Sequence, residues 1–383
     1  MHHGLTLVEL GLILFGLAVL ARLAERFEFP SIPLFLVAGL LLGDGGVFTI
    51  THSREFIEMG AVVGVSLLLF MLGLEYSPED LRSTLRSSRV IGLVDLVANA
   101  IPGLAFGVVM GWEPLAVVIM GGVTYISSSG IIAKLITDLR RLGNRETPML
   151  LSILVVEDMV MAVFLPIIGV WAAGGSFGVG AGLASGALLS FFVVIRYSSF
   201  FSQRVSKVLM TKSQDLLVLT VFGLVLLVSG GAEQARISGA VGAFLLGILL
   251  SGTLAEKARE LLAPVRDVFA ALFFVSFGIA VNPDDILPAA FPALVLVVMG
   301  IASKMITGWY GAHRIGVGQK AKMRSALTLI PRGEFSIMIA GLGVAAGTEA
   351  DLGPITAVYV LVISTAGTLL AKYVGSVRKK ATV

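Results

Sequence analysis

Cysteine is absent from the 383 residues, histidine occurs four times, and Asp, Glu, Lys and Arg together make up only 14% of the chain. The first absence excludes disulfides and thiol chemistry. No His/Cys metal set, nucleophile triad or phosphate-binding glycine loop is present, so an enzyme is not expected and no cofactor is called for. The shortage of charge says most, because soluble domains usually carry about 25% charged residues. In its place the chain is 56% hydrophobic, with a mean hydropathy of +0.96. It reads as an all-α polytopic membrane protein, with the lipid bilayer as its main partner. The net charge of +3 gives no support to nucleic-acid binding.

Apolar stretches long enough to cross a bilayer lie near 5–21, 31–48, 57–74, 90–110, 114–135, 147–171 and 178–195, then near 214–230, 237–253, 267–281, 288–311, 322–344 and 353–371. That makes about 13 transmembrane helices in a single domain, 1–383. The first repeat covers about 5–171, a linker helix about 178–195, and the second repeat about 214–371. The second segment is the weakest, since its apolar part from Pro33 to Gly43 is short. The first segment starts without a basic region and ends in Arg22, Glu25 and Arg26, the mark of a retained helix rather than a cleaved leader. No soluble domain is expected after the last span.

Basic residues sort the connections into two sides. All but four of the 28 Lys and Arg residues fall in alternate connections of one parity. Arg54 and Arg236 lie on the other side, and Lys304 and Arg332 lie inside spans. Positive residues favour the cytoplasm, which predicts a multi-pass cell (inner) membrane protein with a cytoplasmic C-terminus.

Two spans carry interruptions at their centres, Thr124-Tyr125-Ile126-Ser127-Ser128-Ser129-Gly130 in the fifth and Pro331-Arg332-Gly333-Glu334-Phe335-Ser336 in the twelfth. Each is the fifth span of its half if the seventh is a linker. Matched breaks of this kind point to inverted repeats with a midplane site built from unwound backbone and opposed helix ends.

Between the breaks in sequence, the sixth span carries Glu157 and Asp158. Asp158 lies about eleven residues from the cytoplasmic end, roughly 16 Å deep. Ionisable groups at that depth persist mainly where they line an ion or proton pathway. Neighbours on a helix point about 100° apart, so one of the pair is expected to face the pathway and the other a packed partner. Ser127, Ser128, Ser129, Arg332 and Glu334 fall at similar depth, with Lys304 somewhat nearer the cytoplasm. A carboxylate suits exchange of a monovalent cation for a proton, because it is a hard ligand when ionised and loses its hold on the ion when protonated. Lys304 and Arg332 would compensate charge, and Glu334 and Arg332 are as suited to bracing the break as to touching an ion. Asp95, about five residues inside the fourth span, is placed near the cytoplasm and outside the site. Gly239, Gly242 and Gly247 read as close helix contacts, and the run Glu256 to Glu260 as a solvated loop.

The serine break, the Glu157-Asp158 pair, Lys304 and the Arg332-Gly333-Glu334-Phe335 break, in that order, resemble the monovalent cation:proton antiporter-2 family, particularly its Kef-type potassium/proton branch. The resemblance spans essentially the whole chain. It implies a sodium/proton-antiporter-like fold of inverted repeats with two discontinuous crossing helices, a homodimer, and elevator-type alternating access. Asp158 is then the ion- and proton-carrying carboxylate, Thr124 part of the crossing region, and Lys304 the partner of Glu157. The transported species would be K⁺ or Na⁺ and H⁺, with K⁺ favoured by the resemblance alone. Glutamate at 157 departs from the aspartate, glutamine or asparagine common before the core aspartate. The nucleotide-binding domain common in the Kef branch is not expected after the last span, which fits equally a separate cytosolic nucleotide-sensing regulatory subunit and a sequence that is a piece of a longer one. Alternatives are a Na⁺/H⁺ antiporter, a Na⁺-coupled organic-anion symporter and a gated cation channel.

Overall fold

The computed structural model describes residues 2–27, 30–43, 46–48, 50–74, 78–174, 213–234, 239–250 and 253–376. Among them every regular element is helical and there is no strand, as expected where backbone groups must be satisfied without water. The first seven helices are α1 (His2–Arg26), α2 (Ser31–Leu42), α3 (Arg54–Leu74), α4 (Pro78–Val109), α5 (Pro114–Tyr125), α6 (Ser129–Asp138) and α7 (Thr147–Gly174). Then come α8 (Gln214–Gln234), α9 (Gly239–Leu249), α10 (Thr253–Ile279), α11 (Pro283–Arg314), α12 (Gln319–Thr328), α13 (Glu334–Ala345) and α14 (Leu352–Ser376).

Among the described residues, nine segments are long and apolar enough to cross a membrane. The expected linker helix 178–195 and the basic connection after it lie outside the described residues. The weak second span is the 12-residue α2, about 18 Å long at 1.5 Å per residue. One expectation is corrected. The run Glu256 to Glu260 is not a loop but the start of α10, because Leu254, Ala258 and Leu262 recur at helical spacing and are buried.

The chain divides into two compact units, one of Met1–Thr51, Thr84–Asp158 and Phe277–Val383, the other of His52–Ser83 and Met159–Ser276. In the second unit α9 packs against α3 and α8. Its core includes Leu67, Phe70 and Met71 of α3, Leu217, Val221 and Val225 of α8, and Leu254, Ala258 and Leu262 of α10. Gly73 and Gly247 bring α3 and α9 into backbone contact, since a methyl on Gly247 would meet the Phe70 carbonyl and one on Gly73 the Phe244 carbonyl. Gly239 and Gly242 lie against α8 somewhat less tightly, at the Ser229 and Val228 carbonyls. Lipid supplies no hydrophobic drive between helices, so such close approach is what holds them.

In the first unit α11 packs against α12 and α14, and α13 against α5 and α14. Ile132 and Ile136 of α6 share a buried cluster with Leu150, Ile153 and Leu154 of α7 and Ala312 of α11. Polar groups tie the ends of these helices together. Arg141 donates to Thr328 Oγ1 at 3.2 Å and to the Ala371 carbonyl at 2.9 Å, and Arg324 pairs with Glu146 at 2.6 Å. Partial burial, and then the nearby Arg324 guanidinium, hold Arg141 below the usual arginine range.

Candidate ion and proton site

Both expected breaks are present, and they touch. The fifth span unwinds over 126–128, between α5 and α6, and the twelfth over 329–333, between α12 and α13. Ser128 starts α6 as its N-cap, its Oγ accepting from the Ile131 N–H at 3.3 Å. On the other chain segment Pro331 has no N–H to continue α12, and it disfavours helical backbone at Ile330. The freed groups satisfy each other, the Ser128 N–H donating to the Pro331 carbonyl at 2.9 Å. Gly333 is required here by proximity, because a side chain at that position would occupy the space of the Ser128 side chain.

Arg332, fully buried, braces the crossing. Its guanidinium donates to the Thr124 carbonyl at 2.6 Å, the Ile330 carbonyl and Ser127 Oγ at 3.4 Å each, and Tyr359 Oη at 3.2 Å. It thereby sets a full positive charge against the carbonyl ends of α5 and α12, where helix dipoles are negative. The Thr124 hydroxyl is engaged with α4, accepting from the Gly103 N–H at 3.1 Å and donating to the Asn99 carbonyl at 2.9 Å. It serves the backbone beside Pro102, a residue that cannot donate within α4.

Glu157 and Asp158 are separated as helix geometry requires. Glu157 is sealed from solvent. Its Oε2 accepts from the Ser127 N–H at 2.5 Å, and its Oε1 from Ser127 Oγ at 3.0 Å and Lys304 Nζ at 2.6 Å. Asp158 is 5% exposed and accepts from Ser129 Oγ, 3.1 Å from Oδ2 and 3.3 Å from Oδ1. Ser129 opens α6, so the Asp158 carboxylate lies at the positive end of that helix. Glu334 opens α13 and accepts from Ser128 Oγ at 3.2 Å. The residues suited to coordinating a cation are therefore Asp158, Ser129, Ser128 and Glu334, gathered at the N-termini of the two inner half-helices.

Asp95 corrects the sequence reading. It is not a residue paired near the membrane surface but a fully buried member of this site, 2.8 Å from Lys304 Nζ. Asn99, one turn on, donates to Asp95 Oδ1 at 2.9 Å and to Thr307 Oγ1 at 3.0 Å, and accepts from Ser303 Oγ at 2.8 Å. Tyr125 completes the cage, its ring centroid 5.6 Å from Lys304 Nζ. A signal for this cage existed in the spacing. Asp95 and Asn99 are four apart on α4, as are Ser303 and Thr307 on α11, and each pair presents one polar stripe on an apolar helix.

Two crossing broken helices with buried carboxylates at the crossing define a secondary transporter, and not an enzyme. The transmembrane model of the sodium/hydrogen exchangers matches residues 12–374, and the chain belongs to that family. It is 35% identical to the K(+)/H(+) antiporter subunit KhtU of Bacillus subtilis over 95% of this chain and 92% of that protein. It is also 31% identical to the Ammonium/H(+) antiporter subunit AmhT of Alkalihalophilus pseudofirmus, over 98% and 94%. The fold matches the sodium proton antiporter MjNhaP1 of Methanocaldococcus jannaschii at a TM-score of 0.68 and 18% identity, covering 99% of both chains. The resemblance read from the motifs thus holds at the level of family and fold.

Proposed function

We propose that the chain is the membrane subunit of a monovalent cation/proton antiporter, with K⁺ favoured over Na⁺, in which cation and proton compete for Asp158. The observation that carries this reading is the Asp158 carboxylate, slightly open to solvent beside Ser129 at the positive end of a broken helix. The ionised carboxylate holds a cation together with hydroxyl oxygens, and protonation removes the charge that holds it. Competition at one group couples the two flows without a second site. Alternating access is of the elevator type, with the protein working as a homodimer in the cell membrane. A cytosolic regulatory subunit is the expected partner, given that two similar bacterial proteins are named as subunits.

The K⁺ preference follows the potassium exchanger at 35% identity. Ammonium is the second ion to try, since a similar chain is named for it and the two cations are close in size. Purified protein in proteoliposomes, with internal pH followed by fluorescence, should show proton movement driven by K⁺, NH₄⁺ or the similarly sized Rb⁺ more strongly than by Na⁺ or Li⁺. Asp158→Asn should abolish the signal for every cation. Undiminished exchange in that variant would remove Asp158 from the carrier role.

A further inference from the structure

Asp95 is buried in contact with the site, yet exchange at Asp158 makes no use of it. The side chains of Asp95, Lys304 and Glu157 are 1%, 0% and 0% exposed, and one ammonium bonds both carboxylates. Lys304 can neutralise only one of them. Arg332, the other fully buried cation at this site among the described residues, is occupied by carbonyls and a hydroxyl of the two breaks and by the Tyr359 hydroxyl. The four carboxylate oxygens are not equivalent. Both oxygens of Glu157 accept hydrogen bonds, and Asp95 Oδ1 accepts from Lys304 and Asn99. Asp95 Oδ2 is buried with no hydrogen-bond partner. An ionised carboxylate oxygen buried without a protein donor is a costly state, and a proton there removes the charge.

We propose that Asp95 is a second proton-binding carboxyl, holding a proton on Oδ2 while Lys304 remains an ammonium paired with Glu157. The proton is taken from water and returned to it, with no other bond made or broken. Its release leaves Asp95 ionised and draws Lys304 toward α4. The charged and titratable groups around Asp95 are Lys304 from α11, Glu157 from α7, Arg332 from the second break and Tyr125 from α5. Of these, Glu157 transmits the change. It is bonded to Ser127, two residues before the Ser129 hydroxyl that meets Asp158. Asp95 is thus a positioning residue that makes the cation site respond to pH through Lys304. The effect on transport rests on the antiport reading, whereas the proton on Asp95 does not.

The test is pH-step difference infrared spectroscopy on the full chain in liposomes, reading the C=O stretch of protonated carboxyls. A band is expected that is lost in Asp95→Asn, shifted in Asp95→Glu and retained in Asp158→Asn. A carboxyl spectrum unchanged by both Asp95 substitutions would overturn the proposal. Should Asp95→Asn fail to fold, the shift in Asp95→Glu decides it. In the transport assay, the pH profile normalised to its maximum should lose one titration step in Asp95→Asn and keep it in Asp95→Glu. Superimposable profiles would overturn the link to exchange. Absence of cation-driven proton movement in the parent, with the band intact, would sink the antiport reading and leave the proton site standing.

Discussion

Lys304 is the residue on which the buried charges turn. Two carboxylates approach its ammonium to within 2.8 and 2.6 Å, out of reach of solvent. Breaking a buried pair by deleting one member costs about 3–5 kcal/mol, because the other charge is stranded. Here Glu157 would be stranded, and Asp95 beside it once its proton is released. Lys304→Ala should therefore lower the thermal midpoint of the purified protein markedly. At a pH where Asp95 has released its proton, adding Asp95→Asn should recover part of that loss, since the second change removes one stranded charge. A loss in the double variant equal to the sum of the two single-variant losses would show that the two residues are not coupled. At this scale the sequence was legible in part. Depth in an apolar span marked Glu157, Asp158, Lys304 and Arg332 as buried ionisable groups. It misplaced Asp95, because distance along a helix from the nearest basic connection does not report how a helix tilts or where its neighbours end.

Among the elements, the paired half-helices set the geometry. α5 and α6 have 12 and 10 residues, and neither alone spans the roughly 30 Å of hydrocarbon. Their break is held to the one between α12 and α13 through the Ser128–Pro331 backbone bond and the contact of Ser128 with Gly333. Gly333→Ala inserts a methyl into the space of the Ser128 side chain and should separate the breaks while leaving the helices intact. Cation-driven proton movement should fall at least tenfold with far-ultraviolet circular dichroism unchanged, and Gly333→Ala/Ser128→Gly should restore part of it. Serine clusters and Pro-x-Gly were enough to locate the breaks to within a few residues, since both compete directly with helical hydrogen bonding. That the breaks would bond to each other was not legible. No local rule pairs residues some 200 positions apart.

At the scale of the whole molecule, the distribution of Lys and Arg predicts that the connection 139–146 faces the cytoplasm and the connection 346–351 the opposite side. The chain has no cysteine, so single cysteines report topology without background. Gly143→Cys should react with an impermeant maleimide only in inverted vesicles, and Ala350→Cys only in right-side-out cells. Labelling of both from one side would refute the assignment. Hydropathy fixed most helix positions because each must match bilayer thickness, and it missed the α10 extension because that part of the helix is amphipathic. The unit that holds the site is assembled from stretches far apart in the chain, Thr84–Asp158 and Phe277–Val383. Asp95, Glu157 and Asp158 belong to the first and both counter-cations, Lys304 and Arg332, to the second. During synthesis the acids enter the bilayer before their partners exist. The ribosome must therefore deliver well over a hundred further residues before Asp95 and Glu157 meet Lys304, and a chain arrested between the two stretches would hold both carboxyls in the bilayer without that partner.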